Sequence, residues 1–108
     1  EYALRTQPNT WVHIVISLLV IIVCAWLELP HRDWAIVLVT ISLVWAAELF
    51  NTAIEAAITL VSSDPHPLAK AGKDAAAGAV LVVAIGAILI GLLILGPPLW
   101  DKLQSIFR

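Results

Sequence analysis

Ala75-Ala-Ala-Gly78-Ala-Val-Leu-Val-Val-Ala-Ile-Gly86-Ala-Ile-Leu-Ile-Gly91-Leu-Leu-Ile-Leu95 contains no charged residue and no side chain more polar than alanine. A run of this length crosses the hydrocarbon of a bilayer, which takes roughly 17–25 apolar residues. Two further apolar segments precede it. One runs from about Trp11 to Leu27, and the other starts near Trp34 and keeps helical character to about Ser62. Over the whole chain 61% of residues are hydrophobic and 13% charged, with mean hydropathy +0.97. No soluble core of 108 residues would hide that much apolar sequence. The composition therefore predicts an all-α integral membrane protein with three transmembrane helices, because helices satisfy their own backbone groups in lipid.

The breaks fit that division. Leu29-Pro30-His31-Arg32-Asp33 separates the first two helices, with Asp33 a candidate cap for the second. Ser62-Ser-Asp64-Pro65-His66-Pro67 separates the second and third, with Asp64 or His66 closing the turn and a proline near the first helical position. Gly96-Pro97-Pro98 is expected to stop the third helix, leaving Leu99–Arg108 as an interfacial tail. The spans are placed at about 11–28, 34–62 and 67–95 of a single domain covering residues 1–108. Ala71-Gly72, Gly78, Gly86 and Gly91 make the third helix rich in small residues, which let helices approach closely within or between chains. Three thin helices enclose little volume, so an oligomer is expected.

Other classes are excluded or unsupported. The formal charge of −2 and the scattered basic residues give nucleic acid no electrostatic footprint. Cys24 lies in an apolar run and reads as a small core residue. His13 and His31 have no partner at metal-ligand spacing, so zinc is not expected. His66 and Lys70 read as solvated loop residues. Orientation is undecided by charge: Arg5, Lys70 and Lys73 would face one side, and Arg32, Lys102 and Arg108 the other. Trp26, Trp34 and Trp100 would mark one interface and Trp11 the other.

The polar exception is Glu48-Leu-Phe-Asn51-Thr52-Ala-Ile-Glu55-Ala-Ala-Ile-Thr59. At ~100° per residue, Glu48, Thr52, Glu55 and Thr59 share one stripe about 60° wide, with Asn51 at its edge. Counted from Trp34, Glu48 lies about 21 Å along the axis and Glu55 about 31 Å. Against a hydrocarbon core of ~30 Å, Glu48 is intramembrane and Glu55 near the far interface. Intramembrane acids are expensive and mark function. Glu48 suits a proton acceptor. Glu55, beside Asn51, suits a hydrated Mg²⁺ carrying nucleotide phosphates. Lys73 and Asp74 begin the third helix on the side where the second ends, so Glu55, Lys73 and Asp74 can meet at one surface. Three readings follow: phosphoryl transfer to a lipid alcohol, a proton or ion transporter using Glu48 as a relay, and an assembly subunit.

Glu48-Leu-Phe-Asn51-Thr52-Ala-Ile-Glu55, then His66-Pro-Leu-Ala-Lys70-Ala-Gly-Lys73-Asp74-Ala-Ala-Ala-Gly78-Ala-Val, resembles the signature of the prokaryotic diacylglycerol kinase family, which includes undecaprenol kinases. The resemblance is strong from 48 to 81 and weaker before 34. It implies a homotrimeric helical bundle with active sites shared between subunits. These would lie at the cytoplasmic face of a bacterial inner membrane. It also implies transfer of the ATP γ-phosphate to undecaprenol or diacylglycerol, with Mg²⁺. By matched position Glu48 is the general base and Glu55 the metal ligand. Asn51, Lys73 and Asp74 then organise nucleotide and phosphate. The Lys73–Val80 stretch is more similar to the undecaprenol branch. The family has no P-loop, and none is present.

The chain departs from that pattern at three places. Gln7 stands where the family has a glutamate contributing to the metal and nucleotide site, and can still ligate through its carbonyl with less charge. Asn9-Thr10-Trp11 replaces Asn-Phe-Arg, and Thr59 replaces an aspartate. The amphipathic surface helix of the family would precede Glu1.

Overall fold

The computed structural model describes the backbone of residues 8–62 and 64–108, and side chains from residue 11 onward apart from residue 63. Among the described residues there are three helices: α1 (Pro8–Leu27), α2 (His31–Val61) and α3 (Pro67–Ile106). Gln7 lies outside them.

α1 ends in a closed turn. Glu28 adopts φ 54°, the left-handed region that a glycine usually fills. Its N–H donates to the carbonyl of Ala25 at 3.2 Å, and the N–H of Leu29 donates to that of Cys24 at 3.4 Å. This is the Schellman pattern, with the apolar contact that accompanies it. Cys24 and Leu29, both buried, pack with Val37 of α2, and Val20, Ile41 and Leu95 lie against them.

α2 starts three residues earlier than expected. Pro30 is its N-cap, with φ −65° and ψ 160°, and Trp34 N–H donates to the Pro30 carbonyl. Asp33 sits inside the first turn instead of capping it, where its charge still favours the exposed amides. Proline holds the extended conformation an N-cap needs, so no side-chain cap is required. The α2–α3 turn closes as expected: the His66 ring accepts from the Leu68 N–H at 3.1 Å, and Pro67 follows as the first helical residue.

α3 overruns its expected stop. It continues through Pro97 and Pro98 to Ile106, 40 residues in all. The two prolines leave the carbonyls of Leu93 and Ile94 without their usual donors. The far end is nevertheless tied down: Lys102 Nζ donates to the Trp26 carbonyl at 3.0 Å and stands 5.1 Å from the centre of the Trp26 ring. Ile94 and Leu95 pack on the Cys24 cluster. Tertiary anchoring on both sides of the prolines carries the helix across them, as membrane helices permit.

α2 and α3 form the main packed pair, and α1 touches each over a shorter length. The molecule is a rod of 62 × 24 × 24 Å. α2 and α3 are each long and apolar enough to cross a membrane, and the apolar part of α1 spans Trp11–Leu27. Among the described residues Cys24, Leu29, Val37 and Ala76 are the buried hydrophobics, while Leu19, Val39, Leu60, Val82 and Leu93 are exposed. An apolar exterior of that extent marks a membrane protein.

Candidate active site

α1 and α2 run antiparallel around the Glu28–Pro30 turn, and this register brings His13 to Glu48. His13 Nε2 and Glu48 Oε1 are 3.1 Å apart, across 35 residues of sequence. The two side chains keep 23% and 20% of their surface. One turn along, Trp45 Nε1 donates to Ser17 Oγ at 3.0 Å, and the Trp45 ring lies tilted against His13 with centroids 6.1 Å apart. His13 has no partner at metal-ligand spacing in the sequence, and in the fold it meets the Glu48 carboxylate. Linear spacing did not reveal the pair, because only the hairpin joins it.

Thr52 is buried, and its hydroxyl donates to the Glu48 backbone carbonyl at 3.1 Å. It therefore braces the helix and offers no free hydroxyl to a ligand. Asn51 is different. Its Oδ1 is buried and has no hydrogen-bond partner among the described residues. On a helix it neighbours Glu48 three residues before it and Glu55 four residues after it. A buried acceptor without a donor is costly, about 1–3 kcal/mol, so it asks for a ligand.

Glu55 opens on a shallow surface pocket shared with Thr59 and Lys73. Lys73 also borders the neighbouring pocket, lined by Asp64, His66, Lys70 and Asp74. The expected meeting of Glu55 with Lys73 is therefore present. Asp74 is placed beside it, and its carboxylate is engaged by Lys70 Nζ at 2.8 Å, one helical turn away. Counted from the observed start at His31, Glu48 lies about 26 Å along α2 and Glu55 about 36 Å. The separation between a deeper acid and a rim acid survives, shifted toward the α2–α3 turn.

No group of three or more histidines, cysteines or acids forms a metal-binding cluster among the described residues. The donor set that is present consists of oxygens: the Glu55 carboxylate and the unpartnered Asn51 amide. Hard oxygen donors in small number suit Mg²⁺, which keeps water and phosphate in its remaining positions.

Below His13 the three helices enclose an apolar groove of about 270 Å³, lined by Ile16, Val20, Ile41, Val44, Ile88 and Leu95 among others. His13 borders it. A model of the family described as prokaryotic diacylglycerol kinase matches residues 1–95. The chain belongs to the prokaryotic diacylglycerol kinase family. Among its relatives, the undecaprenol kinase of Bacillus subtilis (strain 168) is 44% identical over 95 residues, covering 88% of this chain and 77% of that protein. A diacylglycerol kinase of Synechocystis is 42% identical over 100 residues, covering 92% and 57%. The diacylglycerol kinase of Escherichia coli (strain K12) is 31% identical over 75 residues, covering 69% and 62%. The chain thus spans less than two thirds of the last two.

Membership in the prokaryotic diacylglycerol kinase family bears out the resemblance read from residues 48–80 and places the chain among ATP-dependent lipid kinases. The same geometry disfavours the transporter reading. On the far side of Glu48, Thr40 and Ser42 return their hydroxyls to the carbonyls of Ile36 and Leu38 at 2.7 and 2.8 Å. The groove there is apolar, so no polar path continues from Glu48 through the described residues.

Proposed function

We propose that this chain transfers the γ-phosphate of ATP to a lipid hydroxyl, with Glu48 as general base. The observation that carries this reading is the Glu48 carboxylate, held by His13 beside an apolar groove and two helical turns from Glu55. The lipid oxygen attacks the γ-phosphorus as its proton passes to Glu48. The bond from that phosphorus to the bridging oxygen breaks, and ADP leaves. Most of the catalytic work in such a transfer is positioning and charge stabilisation. Asn51 and Glu55 would hold Mg²⁺, which neutralises charge on the phosphates. Lys73 places a cation on the same rim, and Asp74 organises the nucleotide from the neighbouring turn. Gln7 belongs to this set by its place in the family pattern.

The acceptor is undecaprenol or diacylglycerol, the substrates named for the relatives. The Lys73–Val80 stretch and the Bacillus relative favour undecaprenol. The whole chain acts as one domain with three spans, and its active site faces the cytoplasm of the bacterial inner membrane. We assign it a homotrimer with sites completed between subunits. Support for that comes from α3, where a Cβ at Gly78, Gly86 or Gly96 would meet nothing within 4 Å in the single chain. Those faces are open to a neighbour.

The test is a radiolabelled ATP assay in mixed micelles, with undecaprenol and diacylglycerol offered side by side. Label should enter one lipid. Glu48→Gln should lower turnover by about 10²–10⁴-fold while preserving the oligomer, the range for loss of a general base. A fully active Glu48→Gln protein would remove the base assignment.

A further inference from the structure

We infer that His13 is a positioning residue, which aims the Glu48 carboxylate for proton abstraction. This inference rests on the reading of Glu48 as the base. A carboxylate on three rotatable bonds is a poor base until its direction is fixed, because reactivity depends on holding the acceptor oxygen in line with the hydroxyl. Glu48 receives that constraint from another helix. His13 Nε2 and Glu48 Oε1 are 3.1 Å apart, and with Glu48 ionised, as a base must be, the imidazole N–H is the donor. Among the described residues Oε2 has no partner, so it is the oxygen left for a substrate proton. The contact is a hydrogen bond between two groups that are mostly enclosed, so water competes poorly for it.

The histidine is itself held. Trp45, one turn before Glu48 on α2, packs its ring against the imidazole and anchors its own N–H on Ser17 of α1. The chain of contacts runs Ser17, Trp45, His13, Glu48, and it crosses between the helices three times. A base oriented by a second group that is fixed in turn by a third is the arrangement that activated catalytic groups share. His13 also borders the apolar groove, whereas Glu48 does not line it. The same ring therefore marks the boundary between the space for a lipid chain and the acid that meets its hydroxyl.

A merely structural histidine and a positioning one separate in kinetics. His13→Leu removes the donor, and His13→Gln restores an N–H at nearly the reach of Nε2. In the lipid kinase assay His13→Leu should lower kcat at least tenfold, with KM for ATP and for lipid within twofold of the parent. His13→Gln should return kcat to within about threefold, in line with recovery of one charge-assisted hydrogen bond. Equal losses in both variants, or a loss confined to KM, would overturn the inference, as would a His13→Leu protein with parental kcat. Glu48→Gln measured alongside keeps the two levels apart. If it is active, the base reading fails and the inference with it. If it is inactive while His13→Leu is unaffected, the inference alone fails. Should His13→Leu not accumulate, ¹⁵N-histidine labelling of the parent reads the contact directly. One of the three imidazoles should shift on Glu48→Gln, and three unmoved signals would overturn the contact.

Discussion

Asn51 bears a cost that a bound ligand would relieve. Among the described residues its buried amide oxygen has no donor, which burdens the empty fold by about 1–3 kcal/mol. Asn51→Leu, of similar volume, should therefore raise the thermal midpoint of nucleotide-free protein while removing kinase activity. A parallel fall in both would show that the amide serves the fold. Gln7 offers the opposite experiment. Gln7→Glu adds a negative charge where the family pattern has one, and should lower the Mg²⁺ concentration giving half-maximal activity. The residues of the stripe were legible in the sequence because acids in an apolar helix are rare and their spacing matches the helical repeat. The histidine was not. Its meaning depends on an antiparallel register that folds residue 13 onto residue 48, and no local pattern encodes that register. Asp74 is a milder case: its nearest cation is Lys70 at helical spacing, not the adjacent Lys73.

At the scale of elements, strain and close approach sit at two places. Glu28 holds a left-handed conformation that costs a side chain about 1–2 kcal/mol and glycine far less. Glu28→Gly should stabilise the α1–α2 turn by roughly 0.5–1 kcal/mol, read as a higher unfolding midpoint in detergent. Gly72 marks a close approach of α3 to α2, where a Cβ would lie 2.8 Å from Ile58 Cδ1. That atom is the end of a mobile side chain, and alanine gains about 1 kcal/mol of helix propensity over glycine. Gly72→Ala should therefore leave stability within about 1 kcal/mol of the parent, whereas Gly72→Leu should cost about 1–3 kcal/mol through overpacking. Helix existence was legible throughout, and the His66-Pro67 start was legible in detail. The Pro97-Pro98 stop was misread because local propensity forbids a helix there, while Trp26 and Lys102, far apart in sequence, hold it together.

For the whole molecule, the telling property is a rod whose flanks are apolar and whose interior is thin. Such an exterior suits lipid, and Gly78, Gly86 and Gly96 of α3 stand uncovered in the single chain. Mass measurement in mild detergent should give three copies per particle. Single-copy particles that retain full activity would refute shared sites. Membrane character was plain from composition, because lipid removes the need for a charged surface. Assembly was not, because a small-residue face says that something packs closely without saying what.

α3 has a final consequence. At 40 residues it is about 60 Å long, twice the thickness of hydrocarbon, yet its uncharged stretch from Ala75 to Trp100 measures about 39 Å. That stretch is a ruler. A thicker or thinner bilayer must tilt the helix or deform around it, and either response changes how far Glu48 stands from the lipid headgroups. Turnover measured in vesicles of graded acyl-chain length should therefore pass through a maximum, and a flat profile would show that the ruler does not reach the site.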